Sequence, residues 1–179
     1  MSISSIDIGS YNLAGQVFSA ANVSSKSVIA VTTAMTGVIL YNPMGSNVKA
    51  IIWDVGFAWA TAPAAVHNLA IALAPPNATV PSSLTAIGSG VLQSNGSGNA
   101  GNAVCKAYDA ATLPVAPVIQ RWIGGAVYGS GVGESPYQIL DLTHGAIVLI
   151  PGAVMALAAV TTTLAGMGHV TWIEVPANN

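Results

Sequence analysis

Residues 145–176 read GAIVLIPGAVMALAAVTTTLAGMGHVTWIEVP, and from Gly145 to Gly166 the run carries no charged side chain. A membrane span and a set of buried strands both have this look, so the choice decides the fold class. A spanning helix needs about 20 apolar residues of helical preference, usually with basic flanks. Here Pro151-Gly152 breaks the run early, and no Lys or Arg occurs between 122 and 179. Ile147, Val148, Ile150, Val154, Val160 and Thr161 to Thr163 are β-branched and favour a pleated chain. The stretch parses as strand 146–150, a Pro-Gly turn, strand 154–160, a turn near Ala165-Gly166, and strand 169–175.

The same punctuation runs upstream. Residues 27–43 (SVIAVTTAMTGVILYNP) hold two β-favouring runs that end at Asn42-Pro43. In 49–59 (KAIIWDVGFAW), alternation sets Ile52, Asp54 and Gly56 on one side and Ile51, Trp53, Val55 and Phe57 on the other. Further runs follow in 67–76, 103–110 and 117–129. Pro or Gly breaks recur throughout, and no segment reads as a capped amphipathic helix. About eight to ten short strands of this kind predict an all-β, antiparallel sandwich or barrel. Residues 1–26 are Ser-rich and weakly patterned, an expected arm or edge segment ahead of a single domain at 27–179. The Gly/Asn/Ser-rich stretch 88–103 is expected as a loop or a hairpin tip.

Composition narrows the setting. Charged residues are 6% of the 179 and apolar residues 53%, against about 25% charged in ordinary domains. A monomer of this mass exposes roughly 8,000 Å². The ten charges are therefore far sparser than the surface of a freely dispersed domain. Burial of much of that surface against sister subunits or neighbours is the expected remedy. Four scattered basic residues do not form a phosphate-binding cluster, so no nucleic-acid partner is expected. No membrane partner is expected either, given the strand parse. The sequence begins without a basic and apolar leader, so the sequons at Asn22, Asn77 and Asn95 are read as chance matches. Cys105 is the only cysteine and has no disulfide partner within the chain.

The 145–162 strands followed by GHVTWIEVP (168–176), together with GVILYNPMGSNVKAIIWDVGFAWA (37–60), resemble the closing and opening strands of small jelly-roll virion proteins of tailed bacteriophages. The resemblance implies a jelly-roll type β-sandwich that acts as a capsid cement or decoration protein on the virion surface. It also implies the major capsid protein as partner, and self-association with a trimer favoured and a dimer possible. Trp53, Trp59, Trp122 and Trp172 are the large side chains available as interface anchors or, alternatively, as core. A fibre, tail or baseplate module that recognises a receptor or glycan is the alternative of the same fold class.

Chemistry is sparse. His67, His144 and His169 share no metal-ligand spacing, and no Cys-x-x-Cys exists, so neither metal nor cofactor is expected. Asp54, Asp141 and Glu174 are isolated acids, and the structural reading of each outweighs a carboxylate pair for glycoside hydrolysis. YGSGVG (128–133) lacks the first glycine of a nucleophile elbow, and the glycines of 88–101 lack the Gly-Lys-Ser/Thr ending of a phosphate loop. No enzyme is expected. A His–acid pair in one cleft is the feature that would favour one.

Overall fold

The computed structural model describes residues 7–61, 67–95, 102–126, 138–160 and 163–177. A short helix, α1 (Ile8–Leu13), opens it. Asp7 caps it, its carboxylate accepting from the Gly9 N–H at 3.0 Å and the Ser10 hydroxyl at 2.6 Å. These bonds stabilise the charged form and hold the Asp7 carboxyl below its ordinary value, the Ser10 bond most and the Gly9 bond next. The rest of the described chain is strand and connection: β1 (Val17–Ala21), β2 (Lys26–Val28), β3 (Ala34–Tyr41), β4 (Val48–Trp59), β5 (His67–Ala74), β6 (Ser82–Ala86), β7 (Leu92–Gln93), β8 (Lys106–Thr112), β9 (Val118–Ala126), β10 (Gln138–Leu149), β11 (Val154–Ala159) and β12 (Leu164–Pro176).

The strands form two antiparallel sheets, a β-sandwich. The first, sheet A, has the order β10-β4-β12-β1-β7, with β2 also paired to β12. The second, sheet B, has the order β6-β8-β3-β11-β5-β9. Four of the pairings are nested in the chain: β5 with β9, β4 with β10, β3 with β11, and β1 with β12. Residues 17–21, within the expected arm or edge segment, thus form β1 and pair with the last strand of the fold.

The sandwich core lies between the sheets, with Phe18, Ile52, Val55, Phe57 and Trp172 from sheet A meeting Leu40, Leu69, Ile71, Met155 and Leu157 from sheet B. A second cluster consists of Met35, Ile39, Tyr41, Ala72, Ala74, Ala111, Val154, Ala156 and Ala158 of sheet B, joined by Leu113. It lies on the far side of sheet B, because neighbours along one strand alternate between the two clusters. Val31 packs on it, and the Leu113 N–H donates to the Thr33 carbonyl at 2.7 Å, tying together the two loops that cover it. Every residue of β11 is therefore buried. A central strand covered on both faces has no place for a charge. This accounts for the absence of charge over 154–159 inside one subunit, whereas Val148 and Ile150 of the same run are exposed.

Three sequence expectations change in detail. The 49–59 alternation breaks at Trp53, because Ile52 and Asp54 pair with consecutive residues Trp172 and Thr171 of β12. Trp53 is an extra residue in β4, so Ile52 faces the same core as Val55 and Phe57. The glycines near 166 do not mark a turn. Gly166 and Gly168 lie within β12, and a Cβ on Gly166 would collide with the Phe57 ring. Within the Gly/Asn/Ser-rich stretch, 88–95 is anchored to sheet A. Ser89 Oγ accepts from Ala21 N–H at 2.9 Å, β7 pairs with β1, and Gln93 Nε2 donates to the Gly15 carbonyl at 2.9 Å. Residues 96–101 of that loop and the 129–136 break lie outside the described residues.

The Pro151-Gly152 turn is as expected, and Asn42 braces it. Asn42 is fully buried, and its Nδ2 donates to the carbonyls of Val48 and Leu149, each at 2.9 Å. The Asn42 carbonyl accepts from the Gly152 N–H at 2.7 Å. One residue thus ties the YNP corner to the Pro-Gly corner.

Candidate interface: the open face of sheet A

Register builds the outer face of sheet A row by row. Leu142, Asp54, Thr171, Ser19 and Leu92 lie across it in one row. Leu140, Gly56, His169 and Ala21 make the next. Leu140 and Leu142 are 51% and 50% exposed, and Leu92, Val148 and Met167 are exposed as well. Unlike the centre of sheet B, this face carries apolar side chains in the open. Its edge strand β10 presents them at alternate positions, as a strand with one wet face would normally present polar groups.

One polar pair interrupts the face. His169 Nε2 lies 3.4 Å from Asp54 Oδ1. The imidazole rests over Gly56, where a Cβ would collide with His169 Cε1, so only glycine leaves room for the ring. Asp54 Oδ1 is buried and makes no hydrogen bond among the described residues. His169 separates two shallow clefts. One, about 270 Å³, is lined by Asp54, Phe57, Ala58, Ile139, Leu140 and Thr171 besides His169. The other, about 240 Å³, lies towards Ser19, Ser89 and Leu92.

The remaining charges are used inside the subunit. Glu174 is buried, and its carboxylate accepts from the N–H groups of Val104 (3.0 Å) and Cys105 (2.8 Å) and from Trp172 Nε1 (3.1 Å). Asp109 pairs with Lys26 at 2.9 Å and accepts from Asn22 Nδ2 at 2.7 Å, while Asn22 Oδ1 accepts from Gly168 N–H. Arg121 forks onto Asp141 with bonds of 2.7 and 3.0 Å, joining the edges of the two sheets. Lys106 Nζ donates to the Ala103 carbonyl at 3.1 Å. With Asp7 at its helix cap, Lys49 and Asp54 are the described charged residues without such a bond.

The three acids weighed for hydrolysis do not converge. Asp54 lies on the outer face, whereas Asp141 pairs in register with inward-facing Val55 and is held by Arg121. Glu174 lies across from Ala50, saturated by N–H donors. Glycoside hydrolysis through two facing carboxylates has no basis in these residues. The His169–Asp54 pair does set an imidazole and a carboxylate in one cleft, an arrangement the sequence reading did not find. The two residues are 115 positions apart and become diagonal neighbours only through the β4–β12 register. His144 stacks on Trp53 at 5.1 Å, and the His67 side chain lies outside the described residues. Among the described residues no group of three His, Cys, Asp or Glu could hold a metal. No described helix is long and apolar enough to cross a membrane.

The four tryptophans divide. Trp172 is 0% exposed and packs 5.9 Å from Phe18, so as an interface anchor it is corrected to core: its inward position is set by the bulge at Trp53. Trp53 is half-buried beneath His144, and Trp59 packs edge-on to Phe57 at 5.3 Å. Trp122 is 53% exposed on β9. Comparison with protein-family models, curated proteins and solved structures finds no match to this chain.

Proposed function

We propose that the chain is a structural virion protein, a capsid cement or decoration protein that binds between major capsid subunits. The observation that carries this reading is the open apolar face of sheet A on a chain most of whose described charges are engaged internally. A total surface of 8619 Å² with so few free charges is suited to being covered. The nested strand order supports a jelly-roll winding, since two sheets wound from nested antiparallel pairs are its signature. The resemblance of 37–60 and 145–176 to phage decoration proteins points the same way.

The mechanism is adhesion. Leu140, Leu142 and Met167 bury against neighbouring shell subunits or sister copies, and association stabilises the shell by mass action. Self-association as a trimer, or as a dimer, uses the same scarcity of charge, and the virion surface is the place where both partners meet. Sedimentation equilibrium of the purified chain, and co-sedimentation with shells of the capsid protein from the same genome, test the reading. Concentration-dependent association and saturable binding to shells are expected. A monomer that stays soluble at high concentration and ignores the shells overturns the proposal.

A further inference from the structure

The edge of sheet B carries a feature that adhesion through sheet A does not use. Asn68 and Ala70 project from the same face of β5, and register sets Asn68 beside Gly125 and Ala70 beside Trp122. Two extra residues, Gln120 and Ile123, interrupt the pairing of β9 with β5. Ile123 packs towards the sandwich core, while Trp122 turns its indole outward. Bulges re-aim side chains in this way. Gly124 has φ +151, and a Cβ there would stand 2.5 Å from Ile139 Cδ1. The strand can hold this course only with glycine.

The result is a cleft of about 450 Å³ lined by Asn68, Trp122, Gly124 and Gly125. That volume falls in the usual range of small-molecule sites, about 300–1,000 Å³. Its chemistry is specific: a half-exposed indole plate, one side-chain amide that both donates and accepts, and exposed glycine backbone. Among the described residues that line it, none carries a formal charge. Arg121, the nearest in sequence, pairs in register with Ile71 on the opposite face and is held by Asp141. A ligand that fits is neutral, has a flat apolar face for the indole, and carries hydroxyl or amide groups for Asn68 and the backbone. Pyranose rings have this combination, with a face of C–H groups bordered by hydroxyls.

We propose that the Trp122 cleft is a binding site for neutral carbohydrate. The site is independent of the shell-binding reading and lies on the other sheet.

The test is titration of the intact chain with neutral oligosaccharides (maltotriose, cellotriose, chitotriose and lactose), followed by the indole N–H resonances in NMR. Trp122→Phe assigns the relevant signal. At least one oligosaccharide is expected to shift the Trp122 signal saturably below about 20 mM. Trp122→Ala is expected to weaken binding by at least about tenfold, and Asn68→Ala by about threefold or more. Asn68→Ala alters only an exposed side chain, so it keeps the test open should Trp122→Ala fail to fold. Leu140→Asp is expected to bind sugar as the native chain does, which separates this site from the shell face. No shift with any of the four overturns the proposal. So does binding that survives both cleft substitutions, or equal binding of a sulfated oligosaccharide.

Discussion

The outer faces of the two sheets are opposite solutions to one composition. Sheet B buries the centre of its outer face under the chain's own loops and leaves only its edges, such as Trp122, in the open: Ala72, Ala74, Ala111, Ala156 and Ala158 keep the surface low enough for Leu113 and Val31 to pack on it. Sheet A buries its outer face only at the Val17–Ile173 end and leaves the rest open, with Leu140 and Leu142 half exposed and one His–Asp pair between them. The chain therefore covers most of one outer face and only an end of the other. The difference makes the open face of sheet A the place to test the proposed association.

The largest expected effect breaks the comparison at its covered half. Ala156 is fully buried, flanked in register by Ile39 and Ala72. Ala156→Asp puts an unpaired charge there, at a cost comparable to total domain stability of about 5–15 kcal/mol. The variant is expected to show no cooperative urea transition. Ala156→Leu, a milder overpacking, is expected to lose about 1–3 kcal/mol. If either substitution proves neutral, sheet B's outer face is not the closed core described.

The bare half is tested with the same chemistry. Leu142→Asp and Leu140→Asp should leave the urea midpoint within about 0.5 kcal/mol of the native chain, since both side chains already meet water. Self-association measured by sedimentation is expected to weaken by at least about tenfold. A large loss of folding stability instead would mean that the leucines serve the subunit and not a partner.

How much of this contrast was legible beforehand follows from what strand patterns encode. Strand content and the Pro151-Gly152 corner were readable, because β-branching and turn residues act locally. That β11 is buried on both faces was present in VMALAA as a run without alternation, but which segments cover it was not. Trp53 defeated the alternation in 49–59, since a bulge is set by the partner strands. The His169–Asp54 pair was illegible for the same reason: two single polar residues on distant strands meet only through register. The exposed face itself left a trace in ILDL (139–142), an alternating pattern whose apolar members proved to be the ones outside as well as in. Trp172 and Trp122 read alike as tryptophans within β-patterned runs, yet one is core and the other surface.

A smaller effect concerns the shared wall between the two faces. Burial raises the Cys105 thiol well above its ordinary value of 9.0, and the Glu174 carboxylate beside it adds to the rise. The folded state therefore keeps the proton that the unfolded state loses. The stability linked to it is complete below about pH 9 and falls as pH rises beyond that, by at most about 1.4 kcal/mol per unit. Urea unfolding at pH 8 and pH 10 is expected to show a larger loss in the native chain than in Cys105→Ala. Equal losses would place the thiol in contact with solvent and the wall ajar.

The smallest effect returns to the bare face and asks whether its one polar pair is placed or incidental. The atoms nearest a methyl at position 56 all belong to the His169 ring, so in Gly56→Ala the strand can stay while the ring must move. A cost of about 1 kcal/mol is expected, with a shift of the His169 Cε1–H resonance as the imidazole leaves Asp54. On a His169→Ala background the same substitution should cost almost nothing, because the clash has no partner left. If Gly56→Ala is equally costly in both backgrounds, the glycine serves β4 alone. If the cost vanishes with the ring, the glycine is there for the histidine, and the pair belongs to whatever the open face of sheet A meets.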